Sequence, residues 1–349
     1  MSRITEPGRG SPVRARGAPA GDGTPAQAPA SGSGPLRRAL STLILVSRFP
    51  VPLKGEPDFS GLPFWLPLVG FPAALLAAAG YALSSLVFAS GAARSFCAIL
   101  ALFLAFDLFH FDGLLDSADA FMGAGSREKR LEILKDPRVG SFGLFAGIAY
   151  LGALWHCATV VAGATVVASA TVVASATVVA GATAASGATV VAGFPPSALP
   201  LFLVAPVAGR AAAALVPVFL APARPGGLGA MIQPYSKRAA FSGLLLSLFL
   251  CLAISALAAL FSKDTAAAAG SALSALFASW FQSPAGARVA FRVAATALSF
   301  AAGIAAGLLP ALATYGRKLG GYTGDALGAA ICLGTLGHLA CALAIFGAL

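Results

Sequence analysis

Asp112, Asp116 and Asp119 stand at i, i+4 and i+7 in the segment HFDGLLDSADAF. If one helix carries all three, that spacing gathers their carboxylates on a single face. Carboxylates held that close repel one another unless a cation sits between them. Three hard oxygen donors suit Mg²⁺, which keeps several waters and binds through a few carboxylates plus substrate phosphates. The concentration is local: of the 13 acidic residues in the 349-residue chain, seven (Asp107, Asp112, Asp116, Asp119, Glu128, Glu132 and Asp136) lie between positions 107 and 136. The plainer reading is an N-cap followed by a solvated acidic turn. Three acids in register beside Gly113 and a basic run favour a metal site. No softer-metal site competes, because Cys97, Cys157, Cys251, Cys332 and Cys341 lie in apolar runs without CxxC spacing. His110 adjoins the acids, whereas His156 and His338 stand in apolar segments where packing accounts for them.

Cations come next along the chain. Arg127, Lys129, Arg130, Lys135 and Arg138 occur in REKRLEILKDPRVGSFG, with Leu131 and Leu134 at helical spacing. Such a segment anchors to anionic headgroups or holds a substrate phosphate, and the two roles are compatible. Lys135, Asp136 and Arg138 are the sharper candidates, since Gly140 and Gly143 let backbone approach a ligand. Arg210 lies inside an apolar run, where an unpaired charge is costly, so it needs a carboxylate or phosphate partner. The segment RKLGGYTGDALGA adds Arg317, Thr323 and Asp325 in a glycine-rich turn opening a helix, a phosphate or metal cradle whose bland alternative is a simple cap. Lys135, Asp136, Arg138, Arg210, Arg317, Thr323 and Asp325 are therefore the expected substrate-binding set, and Asp112, Asp116 and Asp119 the catalytic and metal-binding set.

These residues are embedded in a membrane protein. The chain is 58% hydrophobic and 10% charged, against about 25% charged in soluble domains. The expected fold is an all-α, polytopic membrane bundle of about seven spanning helices: Leu62–Phe88, Ser95–Phe111, Ser141–Ala162, Ala198–Leu220, Ala239–Phe261, Val293–Leu312 and Ala326–Leu349. Ala39–Val46 is too short to span and reads as interfacial or re-entrant, and Ala266–Phe281 is a weaker interfacial or spanning candidate. With the N-terminus in the cytoplasm, the inner segments hold 18 Lys and Arg and the outer ones 4, so the acidic and glycine-rich segments face the cytoplasm. The net charge of +10 is thereby a topology signal, and no nucleic-acid partner is implied. Residues 1–38 form a basic Gly/Pro/Ala-rich tail expected to be disordered, and 39–349 the membrane domain. Within it, residues 158–193 repeat a hexad of the type ATVVAG six times. The repeat reads as an expansion between two spans, with a parallel β-helix as the alternative.

The ordered set SRFPVP (47–52), FWLPLVGFP (64–72), HFDGLLDSADAF (110–121), REKRLEILKDPRVGSFG (127–143), GRAAAALVP (209–217), ARPGGLGA (223–230) and RKLGGYTGDALGA (317–329) resembles the adenosylcobinamide-GDP ribazoletransferase (cobalamin synthase) family over most of residues 40–335. The DG–D–AD block followed by KD-x-R-x-G-x-FG is its most specific part. The N-terminal tail, the hexads and Pro137 depart from the family pattern. The resemblance implies a Mg²⁺-dependent transferase of the bacterial inner membrane with its site facing the cytoplasm. It would join adenosylcobinamide-GDP to α-ribazole or α-ribazole 5′-phosphate and release GMP, in association with other cobalamin-assembly enzymes. Two other readings stay open. A CDP-alcohol phosphotransferase also clusters Asp residues at helix ends, but Asp116 here stands in DGLLDS with no following AR. A transporter would place its ionisable residues near mid-bilayer, where only Asp107 and Arg210 fall.

Overall fold

Proline and glycine set the element boundaries at the start of the described chain. The computed structural model describes residues 34–123, 125–179, 199–260 and 284–346. Pro35, at the first helical position where a missing N–H costs nothing, opens α1 (Pro35–Val46). The stretch expected as tail up to residue 38 thus includes the first turn of α1, and Arg38 pairs with Asp58 at 3.2 Å. At twelve residues, α1 extends about 18 Å, too little to cross a bilayer core of about 30 Å.

The other helices are α2 (Leu62–Leu68), α3 (Gly70–Ser84), α4 (Gly91–Leu102), α5 (Leu108–Met122), α6 (Arg127–Ile133), α7 (Ser141–Val179), α8 (Leu199–Phe219), α9 (Leu228–Met231), α10 (Lys237–Leu260), α11 (Pro284–Ala311) and α12 (Gly324–Phe346). Among the described residues there is no strand, only an isolated bridge between Pro222 and Tyr322. The all-α membrane bundle is therefore observed. Within the described residues five helices are long and apolar enough to cross a membrane: Gly91–Met122, Ser141–Val161, Lys237–Leu260, Gly286–Leu319 and Gly324–Ile345. The segment expected as Leu62–Phe88 is a pair bent by 42°, which raises the number to six if the pair is one span. Pro67 and Pro72 stand on either side of the bend, where their missing N–H groups break the helical ladder. Helix α8 (21 residues) has a shorter apolar stretch, Leu203–Phe219, among the described residues, so five or six of the seven expected spans are present there. The Ala266–Phe281 candidate lies outside the described residues.

Helix α8 is the axis of the bundle: Val204, Val207, Ala208, Ala211, Ala212, Ala213 and Val216 are fully buried. Without a hydrophobic drive between helices in lipid, close packing needs small residues at the contacts. A Cβ at Gly209 would lie 2.3 Å from the Ile331 carbonyl oxygen of α12, and one at Gly307 would lie 2.4 Å from that of Ala330. The Ala- and Gly-rich faces of α8, α11 and α12 thus set how near their backbones come.

Single π-turns interrupt two of the long helices, at Phe103–Asp107 and at Leu312–Gly316. Each inserts a residue into the ladder and re-aims the next stretch of helix, a feature frequent at functional sites. The hexads continue α7 as far as Val179. Copies 158–163, 164–169 and 170–175 are helical, which overturns the β-helix alternative for them. Alanine favours helix, and extending a ladder already begun at Ser141 avoids the nucleation cost. The later copies fall outside the described residues.

Candidate active site

The first π-turn joins α4 and α5 into one 32-residue rod, Gly91–Met122. Counted from Gly91, about 20 residues cross the hydrocarbon core, which brings Asp112, Asp116 and Asp119 to the aqueous end of that rod. All three lie on α5, as their spacing implies.

Helix α12 begins against this face. A Cβ at Gly113 would be 3.0 Å from both Cα and O of Asp325, so glycine at this position lets the two backbones pack closely without displacing either. One turn along, Gly328 meets the His110 backbone in the same way, at 2.7 Å from its carbonyl oxygen. The carboxylates of Asp112, Asp325, Asp119 and Asp136 all act electrostatically on Asp116. Asp112 and Asp116 make no hydrogen bond or ion pair with any described residue, and Asp325 accepts one, from the Thr323 hydroxyl at 2.9 Å.

Asp119 differs from its neighbours on α5. Its two carboxylate oxygens accept the backbone N–H groups of Gly140 and Gly143, each at 2.8 Å. It therefore caps the N-terminus of α7, where negative charge is favourable. A Cβ at Gly140 or Gly143 would approach an Asp119 oxygen to 2.5 or 2.3 Å. The glycines expected to bring backbone near a ligand bring it to this side chain.

Lys135 is exposed. Arg138 is exposed and forks onto Asp136, with Nε–Oδ1 at 2.9 Å and Nη2–Oδ2 at 2.6 Å. Those hydrogen bonds hold the Asp136 carboxyl down at about 2. Arg317 is exposed, and Thr323 is buried beside the acids. Arg210 lies elsewhere: it is 0% exposed and its Nη2 donates to Asp107 Oδ1 at 2.7 Å. His110 Nδ1 stands 3.3 Å from the same oxygen. The partner Arg210 required is thus a carboxylate inside the bundle, and the aqueous face is left to Lys135, Arg138 and Arg317.

Four residues outside the expected set complete the surroundings. Ser117 on α5 shares a hydrogen bond of 2.7 Å with the Tyr315 hydroxyl, delivered by the second π-turn. Arg127 donates to the carbonyls of Leu319 at 2.9 Å and Ala223 at 3.0 Å. It thereby ties α6 to both glycine-rich loops, which also pair with each other through Ala223 N–H to Tyr322 O at 2.8 Å and Tyr322 N–H to Ala221 O at 2.9 Å. Arg224, in the first of these loops, acts electrostatically on Asp325. The π-turns carried no sequence signal. Arg127 and Arg224 stood in recognised basic and glycine-rich islands, yet only the fold singles them out.

Among the described residues no group of three or more His, Cys, Asp or Glu side chains is closed around a metal position. The donor chemistry nevertheless fits a hard cation: Asp112, Asp116 and Asp325 offer carboxylate oxygens only, and two of the three lack any compensating partner.

The family described as Cobalamin-5-phosphate synthase matches residues 38–193 and 173–344, the two matches overlapping within the hexads. A relative from Fervidobacterium nodosum, named adenosylcobinamide-GDP ribazoletransferase, is 30% identical over 206 residues, which cover 58% of this chain and 69% of the relative. One of the same name from Thermosipho melanesiensis is 31% identical over 206 residues, covering 57% and 69%. Another, from Pelodictyon phaeoclathratiforme, reaches 43% over 109 residues, covering 31% and 41%. No solved structure matches the chain. With the matched segments taking in both glycine-rich loops and the acid-bearing end of α5, the chain belongs to the cobalamin-5-phosphate synthase family.

Proposed function

We propose that the protein is an adenosylcobinamide-GDP ribazoletransferase, joining adenosylcobinamide-GDP to α-ribazole or its 5′-phosphate with release of GMP. A ribose hydroxyl of ribazole attacks the pyrophosphate phosphorus on the cobinamide side. A new P–O bond forms, the bond to the GMP phosphate oxygen breaks, and the hydroxyl proton passes to a carboxylate. The observation that carries this reading is the uncompensated pair Asp112 and Asp116 facing Asp325 at the aqueous end of two packed helices.

Transfer of this kind rests on positioning and charge neutralisation more than on covalent chemistry. Asp112, Asp116 and Asp325 would hold Mg²⁺. When bound, the ion draws charge from the phosphate oxygens and relieves the repulsion among these carboxylates. Asp119, engaged by Gly140 and Gly143, is assigned to holding the KDPRVGSFG turn beside α5. Lys135, Arg138 and Arg317 are the exposed cations available to substrate phosphates, Arg138 exchanging Asp136 for phosphate oxygens. Thr323 orients Asp325. The excess of Lys and Arg on this side, 18 against 4, supports a cytoplasmic site in the bacterial inner membrane.

Membranes containing the protein, supplied with adenosylcobinamide-GDP, α-ribazole 5′-phosphate and Mg²⁺, should release GMP and form a new corrinoid detectable by mass spectrometry. EDTA should stop the reaction and excess Mg²⁺ restore it. Folded protein that yields no product would overturn the transferase reading, and product indifferent to EDTA would overturn the metal.

A further inference from the structure

Residues 47–57 carry the chain from the end of α1 back to Asp58 as a closed loop. Its base is pinned to α1: Asp58 N–H donates to Ser41 Oγ at 2.8 Å, and Arg38 Nε donates to Asp58 Oδ2 at 3.2 Å. The first turn folds on Ser47, whose hydroxyl donates to the Leu43 carbonyl at 2.7 Å. Pro50 and Pro52 lack N–H groups and keep the chain extended beyond that turn. The tip, Arg48 and Phe49, rests on the first π-turn, Phe103–Asp107. Arg48 N–H donates to the Ala105 carbonyl at 2.7 Å, and the Phe49 ring meets Phe106 edge-on with centroids 5.4 Å apart. Phe106 is buried and lies under the Arg210 guanidinium, 5.5 Å from its ring centre. Phe49 itself stays 43% exposed, so what it contributes is this contact and not core filling.

The π-turn lies between two close packings. On the α4 side, a Cβ at Gly80 of α3 would be 2.9 Å from the Cβ of Ala101 and 3.1 Å from the Cys97 carbonyl oxygen. On the α5 side, the backbone at Gly113 packs as closely on Asp325. Neither segment is free to rotate, and the residue inserted between them sets the phase of one against the other. An inserted residue can slide along a helix, and each position it passes is turned by about 100°. Sliding past Asp112 and Asp116 would swing both carboxylates away from Asp325. We propose that Ser47–Pro52 is a positioning strap, with Phe49 on Phe106 and Arg48 on Ala105 holding the insertion at 103–107. Phe49 is then a positioning residue: it acts through α5 and fixes which way Asp112 and Asp116 face. The catalytic meaning of that role rests on the transferase reading above. A plain interfacial anchor, for which the exposed Arg48 and Phe49 also qualify, would act without regard to the π-turn, and this separates the two.

Steady-state kinetics of the full-length protein in proteoliposomes test this. Phe49→Ala should lower kcat about ten-fold or more, the scale on which small displacements of reacting groups act. KM for both substrates should hold, while the Mg²⁺ concentration for half-maximal rate rises. Phe49→Tyr, which keeps the ring, should restore both values. Deleting Leu104, which is 57% exposed, removes the inserted residue and leaves α4 and α5 in phase. That deletion should retain turnover, and adding Phe49→Ala to it should change nothing further. Wild-type kcat and Mg²⁺ requirement in Phe49→Ala would overturn the strap, as would an equal loss with and without Leu104, which would leave Phe49 a membrane anchor. Should the wild type transfer nothing, the transferase reading fails separately, and amide hydrogen exchange decides the strap alone. Amides of residues 105–112 should exchange about ten-fold faster in Phe49→Ala, and unchanged exchange there overturns the proposal even if the deletion does not fold.

Discussion

Two polar clusters share one continuous helix and obey opposite rules. Asp107, at the end of the π-turn, is 2% exposed and fully paired, with Arg210 at 2.7 Å and His110 at 3.3 Å. Asp116, within three turns of it, is acted on by the carboxylates of Asp112, Asp325, Asp119 and Asp136, and neither Asp112 nor Asp116 has a hydrogen-bonded or ion-paired partner among the described residues. Deep in the bundle a charge persists only with its partner, so the first cluster holds helices α5 and α8 together. At the aqueous end the same side-chain type is left uncompensated, at a cost in stability that a bound cation would remove. Pairing marks the structural acid, and its lack marks the acids proposed to work on substrate.

That contrast can be broken experimentally. The largest effect is expected from Asp116→Asn, which should lower turnover about a thousand-fold or more while membrane expression stays normal; near-normal GMP release would remove Asp116 from the chemistry. Arg210→Leu should instead act on the fold. Leaving Asp107 buried without its partner costs about 3–5 kcal/mol, read as loss of folded protein in detergent. The double change Asp107→Asn with Arg210→Met should recover much of that loss, and failure to do so would point to a role for the pair beyond packing. Gly143→Ala, by crowding Asp119, should cost about 1–3 kcal/mol of stability and lower kcat with little change in the Mg²⁺ requirement. A large shift in Mg²⁺ dependence would return Asp119 to the metal. The smallest effect concerns pH. Hydrogen bonds from Arg138 depress the Asp136 carboxyl to about 2, so the pair is complete above the ordinary carboxylate range and is lost only as pH falls through about 2. Asp136→Asn should therefore change activity by a constant factor between about pH 5 and 9, and a factor that varies with pH would show Asp136 titrating in the working range.

Much of this was legible in the sequence because it depends on periodicity. The spacing of Asp112, Asp116 and Asp119 required one helix, and the isolated charge of Arg210 in an apolar run required a partner. Which long-range contact satisfies which group could not be read. Nothing local distinguishes Asp119 from Asp116, since the difference lies in the N–H groups of Gly140 and Gly143 more than twenty residues away. Nor does sequence reveal that a π-turn points Tyr315 at Ser117, 198 positions distant. Nor does hydropathy, which measures apolar length, reveal the 42° bend between Phe59–Leu68 and Gly70–Ser84.

The hexads in α7 have a geometric consequence. One hexad adds about 9 Å of helix and advances it by about 600°, turning the direction in which the chain leaves by a third of a revolution. Three hexads amount to five complete turns, about 27 Å, and restore the original direction. The three complete copies within α7, 158–175, are such a set. Duplication of this segment in threes therefore lengthens the helix like a spacer on a screw thread, without rotating the downstream chain relative to the bundle.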